Sequence, residues 1–438
     1  MMIFTQEMQT AAEALLSYLD KSPTAVHAVE ETARTLRDAG FRELNPSEAW
    51  DLKPGEAFFI RRHYSALIAG IAGELSEREH RFRIIGAHTD SPGFRVKSTN
   101  YYRDSSYSLL GVEVYGGPLL GSWADRDLGL AGSIFIRGGQ GPEHRLWKSG
   151  NPWLRISQAA IHLNREVNDK GLVFNKQDEM NPILGSLEEH GVGQQEIYDR
   201  IAADLGTDSG DILSVNLELY DLQPAAFGGL HGDMIYSGRI DNLAMCRAAT
   251  AAMAACASDS SLRNTALAVL YDAEEIGSAT LNGGASPLLI HTMERILLSV
   301  GRGREDLLRS LPESRIFSAD GAHALHPNFK GKYDTRAACL LNRGPAIKVN
   351  ANQRYASNAL TIAETESLCR AADIPWQTYY HRADLPCGST IGPMNAAATG
   401  IPTLDIGNPM LSMHSIRECA GSADQFYMEK LMHAFLNS

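Results

Sequence analysis

Seven side chains able to hold a metal ion or move a proton stand in this 438-residue chain at the ends of apolar runs, at the opening of a helix (Asp241) or in a loop after a strand (His414). They are His88 and Asp90 in GAHTDSPGF, Asp241 in SGRIDNLAMC, adjacent Glu274 and Glu275 in YDAEEIGS, Asp320 in SADGAHALHPN, and His414 in MHSIRE. Two imidazoles and three carboxylates from this set make a donor group suited to Zn²⁺ and similar divalent ions. Two such ions are balanced by Asp241, Glu275, Asp320 and one bridging hydroxide, which leaves a neutral site tolerable in a partly buried pocket. Glu274 is then surplus to the ligand count, and a spare carboxylate beside an activated water is what a general base needs. Spacing alone does not say which glutamate of the pair has which job. Asp90, two residues from His88, is close enough to orient its imidazole.

Each residue also has a plainer reading. Asp241 could cap the helix that follows it, a single histidine at a strand end is more often a structural residue than a ligand, and adjacent glutamates commonly face solvent. Other chemistries leave no signature: G-x-S-x-G, G-x-x-x-x-G-K-[ST], H-E-x-x-H and a strand followed by G-x-G-x-x-G are all absent. CGSTIG (387–392) reads as a tight turn opening a helix.

Residues so far apart need a framework to meet. Residues 7–39 read as two helices broken at Ser22-Pro23, with Gly40 as the stop. The apolar runs 66–72 and 83–87 read as strands on either side of a charged turn at 74–81. Later the chain alternates: helices at 241–256, 284–299, 358–372, 389–398 and from about 422, with strands at 265–271, 315–319, 375–380 and 402–406. The pattern predicts an α/β domain, a mixed central sheet covered by helices, with ligands collecting at the carboxyl ends of its strands. Glycine-rich β-prone pieces and a polar tract over about 164–212 predict a β-rich insert at 92–236. The catalytic domain is then discontinuous, 1–91 and 237–438.

Composition narrows the partners. A net charge of −12 argues against nucleic acid and anionic membranes, which require a concentrated basic face. The six cysteines include no C-x-x-C pair, which fits a reducing compartment. No signal-peptide pattern opens the sequence, and no apolar stretch reaches the roughly 20 residues of a membrane span, so the cytoplasm is the expected location.

The wording of the motifs adds a resemblance. GAHTDSPGFRVK (86–97), VEVYGGPLLGSWADRDLGLAG (112–132), AIHLNR (160–165), SGRIDNLAMC (237–246), YDAEEIGS, SADGAHALHPN, GPAIKVNANQRYASN (344–358), DLPCGSTIGP (384–393) and MHSIRE together resemble the M18 metallo-aminopeptidases. The resemblance runs from KSPTAVHAVEE to the end and implies a zinc-exopeptidase-like fold. It implies two Zn²⁺ per subunit, with Co²⁺ or Mn²⁺ as substitutes. His88 and Asp320 would serve one ion, Glu275 and His414 the other, and Asp241 would bridge them. Glu274 would be the general base and Asp90 the orienter of His88.

The resemblance further implies peptide substrates with a free N-terminus, and dimers, joined through the 92–236 insert, that build a tetrahedral dodecamer. His162 would reach a neighbouring subunit's site; read without the resemblance, it is an ordinary strand histidine. Lys348 and Tyr355, with His323 and His326 nearby, fall at substrate-contact positions, and a lysine there would prefer acidic N-terminal residues. Alternatively, Lys348 contacts backbone or structural acids, and neutral residues are preferred. Asp384 is a candidate for binding the substrate amine. The rival readings are a related two-zinc exopeptidase or deacylase, and a metal-free structural homologue.

Overall fold

A computed structural model describes residues 4–74, 80–186, 193–258 and 262–438. Part of the charged turn expected at 74–81 (75–79) and part of the polar tract (187–192) lie outside the described residues, as do residues 1–3 of the opening segment.

The chain forms two compact units. The larger comprises residues 1–90, 225–413 and 418–438; the smaller comprises 91–224 and 414–417. At the centre of the larger unit, Thr265–Tyr271, Phe82–His88, Arg315–Ala319 and Thr403–Gly407 lie side by side and parallel. Their nearly unbroken apolar sequences reflect burial on both faces; every residue of TALAVLY is buried. Ala66–Ile71 and Ala57–Arg62 extend one edge antiparallel, and Ala346–Val349 with Gln377–Tyr380 extend the other, giving nine strands with short Arg42–Glu43.

Helices cover both faces. Gln6–Lys21, Ala25–Asp38, Ile240–Cys256 and Asp424–Leu436 bury Leu15, Leu36, Met245 and Leu431 in one apolar cluster. Leu288–Ser299 contributes Met293 and Ile296 to the cluster on the other side, with Trp50 and Ile391. The expected helix 284–299 starts only at Leu288, after Pro287, which lacks the N–H a helix interior needs. Strands Ala57–Arg62 and Ala346–Val349 were not expected from the sequence; AIKV is too short to show a period.

The smaller unit is a six-stranded sheet, Gly93–Asp104 and Ile212–Asp221 at its middle, packed on a core with Phe94, Trp123, Trp147 and Leu217. Within the expected polar tract lies a helix, Gln194–Leu205, whose Ile197 and Ile201 recur at a four-residue spacing and whose end is closed by left-handed Gly206 (φ +66°). The expected boundary at 236 moves to 224, because Ala226–Gly228 and Met234–Ser237 join a sheet with Glu418–Gly421, in the larger unit. The segment 414–417 goes the other way and belongs to the smaller unit.

Strand register brings the chemistry to one rim. Tyr271 is level with His88, and Ser318 is level with Gly86, so Asp320 falls abreast of His88. The close approach of Gly407 fixes that rim: a Cβ there would lie 1.7 Å from the Asp320 carbonyl oxygen. Gly407→Ala is expected to lower unfolding free energy by about 3 kcal/mol, measured by denaturant unfolding. His80 provides a pH test. Burial first, then the Arg302 charge, pushes its pKa down to about 4 against a backbone hydrogen bond. The unfolded chain then binds the proton first, so stability falls as pH drops from about 6.5 toward 4. Unfolding midpoints between pH 7 and 5 should fall less steeply in His80→Gln than in the parent.

Candidate metal centre

His88 ends its strand with the imidazole almost wholly buried. Nδ1 lies 3.1 Å from the Asp90 carbonyl oxygen and 3.3 Å from Asp90 Oδ1, so that nitrogen carries the proton. Nε2 faces Asp241 Oδ1 and Asp320 Oδ1, each at 3.5 Å. The His88 carbonyl accepts the Cys246 thiol at 2.9 Å, which anchors the strand end to the helix beneath it.

Asp241 sits in the first turn of Ile240–Cys256, yet its backbone is extended (φ −78°, ψ 107°). Its carboxylate faces His88. Two buried hydrogen bonds hold this turn. The Asp241 N–H donates to Glu418 Oε2 at 3.1 Å, and Asn242 Nδ2 donates to the Ala319 carbonyl at 2.9 Å.

Glu274 and Glu275 form a short turn beyond Tyr271, bracketed by left-handed Ala273 (φ +62°) and Gly277 (φ +98°). Asp90 fastens it, Oδ1 accepting the Glu274 N–H and Oδ2 the Glu275 N–H, both at 3.1 Å. Thus Asp90 positions three site residues at once, a role that sequence spacing assigned only toward His88.

Ligand-capable atoms of His88, Asp241 and Asp320 all lie within 4.8 Å of one another, as do those of His88, Glu274 and Glu275. Burial opposes a proton on His88, but Asp241, Asp320 and Asp90 outweigh it and raise the imidazole well above its usual range. Burial pushes the Glu274 carboxyl up to about 7; His88 pulls it down, while Asp320, Asp241 and Asp90 add to the rise. The side-chain cation against this cluster is Lys348, whose buried Nζ donates to Asp320 Oδ2 at 3.2 Å and the Gly321 carbonyl at 3.0 Å. One lysine and one imidazole do not balance so many carboxylates. Oxygen donors with one imidazole, crowded this closely, fit a divalent ion such as zinc.

The remaining predicted residues are placed as follows. Tyr355 is buried with its ring centroid 5.1 Å from Lys348 Nζ. His323 rests near Tyr379 and His381, with centroids 5.8 Å and 6.3 Å away; burial, then Lys348 and His381, lowers its pKa to about 4. His326 turns to its own loop, its Nδ1 accepting the Asn328 N–H and its ring meeting Phe329 edge-on. Asp384 is exposed and bonded to Arg382 at 2.6 Å. In the smaller unit, His414 Nδ1 meets the Gly117 carbonyl at 3.0 Å, and His162 is exposed in a turn, not in a strand. Glu418 escaped the sequence reading because it has no local pattern to betray it; for Lys348 a contact with backbone or structural acids was the alternative expectation, and Gly321 and Asp320 are its partners.

Comparison with known proteins places the whole chain in a family. The sequence profile of Aminopeptidase I zinc metalloprotease (M18) matches residues 18–436. The chain is 41% identical over 429 residues to "Probable M18 family aminopeptidase 2" of Stutzerimonas stutzeri (strain A1501), covering 97% of this chain and 98% of that one. A protein of the same name from Clostridium novyi (strain NT) is 38% identical over 429 residues, with the same coverage. Among solved structures, the Ape4 and Nbr1 complex contains a chain 35% identical with TM-score 0.95, matched over 98% of this chain and 86% of that one. The S. cerevisiae mApe1 dodecamer is 26% identical with TM-score 0.84, over 97% and 95%. With a mixed α/β fold, a clustered donor set and relatives matched along nearly their whole length, the chain belongs to the M18 family of zinc metallo-aminopeptidases.

Proposed function

We propose that this metallo-aminopeptidase holds two zinc ions per subunit and uses Glu274 as its general base. The observation that carries the reading is the clustering of His88, Asp241 and Asp320 beside a Glu274–Glu275 turn fastened on Asp90. His88 and Asp320 would hold one ion, Glu275 and His414 the other, with Asp241 shared; Co²⁺ or Mn²⁺ are candidate substitutes. Bound there, the ions would supply Lewis acidity toward a water molecule and the scissile carbonyl.

The protein's own groups move the proton. Glu274 takes it from the attacking water and delivers it to the departing amine. Asp90 keeps Glu274 in reach through the backbone and holds the His88 tautomer, while Lys348 offsets the charge of Asp320. The substrate class is a peptide with a free N-terminus.

An acidic N-terminal preference would come from Lys348, with His323, His326 and Tyr355 nearby. Two of the three Lys348 donors already serve Asp320 and Gly321, so one remains for a substrate carboxylate. That occupancy favours the second reading, in which Lys348 is a structural partner of Asp320 and neutral N-terminal residues are cleaved. The arginine-bonded Asp384 is poorly placed to bind a substrate amine.

The mApe1 dodecamer supports a homo-oligomer here; the assembly proposed for it is of dimers joined through the inserted unit and built into a tetrahedral dodecamer. His162, exposed in that unit, would reach a neighbouring subunit's site. None of the six cysteines is joined in a disulfide, which supports the cytoplasm as location, and no described helix is long and apolar enough to cross a membrane.

Metal analysis of the purified enzyme should return two zinc ions per chain; one ion would overturn the dinuclear reading. Glu274→Gln should retain both while turnover falls at least about a hundredfold. Loss of metal in that variant would mean that Glu274 and Glu275 have exchanged roles. On peptides beginning with Asp, Glu or Leu, faster cleavage of the acidic pair, abolished in Lys348→Met, is expected for an acidic site. Faster Leu cleavage by the parent enzyme selects the second reading.

A further inference from the structure

Arg61 and Arg62, consecutive at the end of Ala57–Arg62, have different surroundings. Arg61 is paired with Glu30 at 2.9 Å and Glu43 at 2.6 Å. Arg62 makes no ion pair among the described residues and lines a cavity of about 710 Å³. The cavity is walled by Trp50 and Ile60, by residues 279–281 and 285–288, and by His291 and Arg295 of Leu288–Ser299.

Its electrostatics are one-sided. Arg62, Arg295 and His291 line it, and among the described residues no acidic side chain does. Arg295 is fixed without a carboxylate: Nη1 donates to the Pro46 carbonyl at 2.6 Å, Nη2 donates to the Glu48 carbonyl, and the guanidinium lies 3.8 Å from the Trp50 ring centroid. Of the acids on the same segments, Glu48 bonds Asn45 and Glu294 pairs with Arg304. Ser286 contributes a buried hydroxyl that has no hydrogen-bond partner among the described residues. Two guanidiniums held near one concave surface repel each other unless an anion joins them, and an unbonded buried hydroxyl carries a desolvation cost.

We propose that this cavity binds a phosphoryl group, with Arg62 and Arg295 donating to its oxygens and Ser286 supplying a third donor. Guanidinium forks match tetrahedral oxyanions, and charge-assisted bonds of this kind are the strong ones. The cavity is far larger than a bare phosphate, and Trp50, Ile60 and Leu288 give it an apolar wall, so a small organic phosphate monoester fits better than the free ion. Its wall belongs to the segment that leaves the Glu274–Glu275 turn, so an occupant braces that segment.

Calorimetry on the zinc-loaded enzyme tests this with inorganic phosphate, adenosine 5′-monophosphate and, as neutral control, adenosine. Binding of either phosphate but not of adenosine is expected, and the tighter of the two identifies the free ion or the monoester as the occupant. Arg62→Gln should weaken that binding by about tenfold or more while metal content and peptidase rate without phosphate stay unchanged. Ser286→Ala, which removes a hydroxyl that bonds to nothing among the described residues, should weaken it several-fold and keeps the test open if Arg62→Gln fails to fold. Absence of binding at millimolar phosphate overturns the proposal. So does equal binding by the parent and both variants, which would place the anion at the metal centre.

Discussion

Negative charge crowded into a space only a few ångströms across is the constraint around which the rest of this structure is arranged. Asp241, Asp320, Glu274 and Glu275 converge with His88 at the ends of parallel strands, at a rim largely removed from water. Such a cluster repels itself and exists only where backbone N–H groups, a buried ammonium or bound cations offset it. The Glu274 and Glu275 N–H groups offset Asp90, itself a further carboxylate, Lys348 supplies the ammonium, and a zinc family supplies the cations. The proposed mechanism draws on the same imbalance, because an environment that raises Glu274 toward neutrality suits the proton carrier proposed there.

Rigidity around this cluster comes from apolar packing below it. The strands that deliver His88, Glu274 and Asp320 are buried on both faces, and their register sets which side chains stand abreast. Helix Ile240–Cys256, packed on one face, brings Asp241 in, and its small residues let it lie close to the sheet. Where the backbone itself must come close, as at Gly407 beside Asp320, no side chain is tolerated. Acid chemistry and hydrophobic core are thus one construction: the core holds still what electrostatics would push apart.

Much of this was legible in one dimension. TALAVLY and RIFSA announce buried strands because both faces of a parallel sheet demand apolar residues, and acids just beyond them mark the rim. The helix Gln194–Leu205 hid in a polar tract because only a narrow stripe of it is buried. Ala346–Val349 is four residues long, too short for any period to show, although it carries Lys348. The boundary near residue 224 depends on a strand partner almost two hundred residues later, which no local composition reveals.

By itself, then, the sequence determined the type of chemistry and the class of fold. Residue identity decides which atoms can hold a metal, and periodicity decides which segments can be buried. Tertiary structure alone decided the pairings: that Asp90 fastens the glutamate turn, that Glu418 holds Asp241 through its backbone, and that Lys348 faces Asp320. It also left Arg62 unpaired among the described residues while neighbouring Arg61 found two partners. The reason is physical: charge is compensated across space by groups distant along the chain, and only folding decides which of them meet.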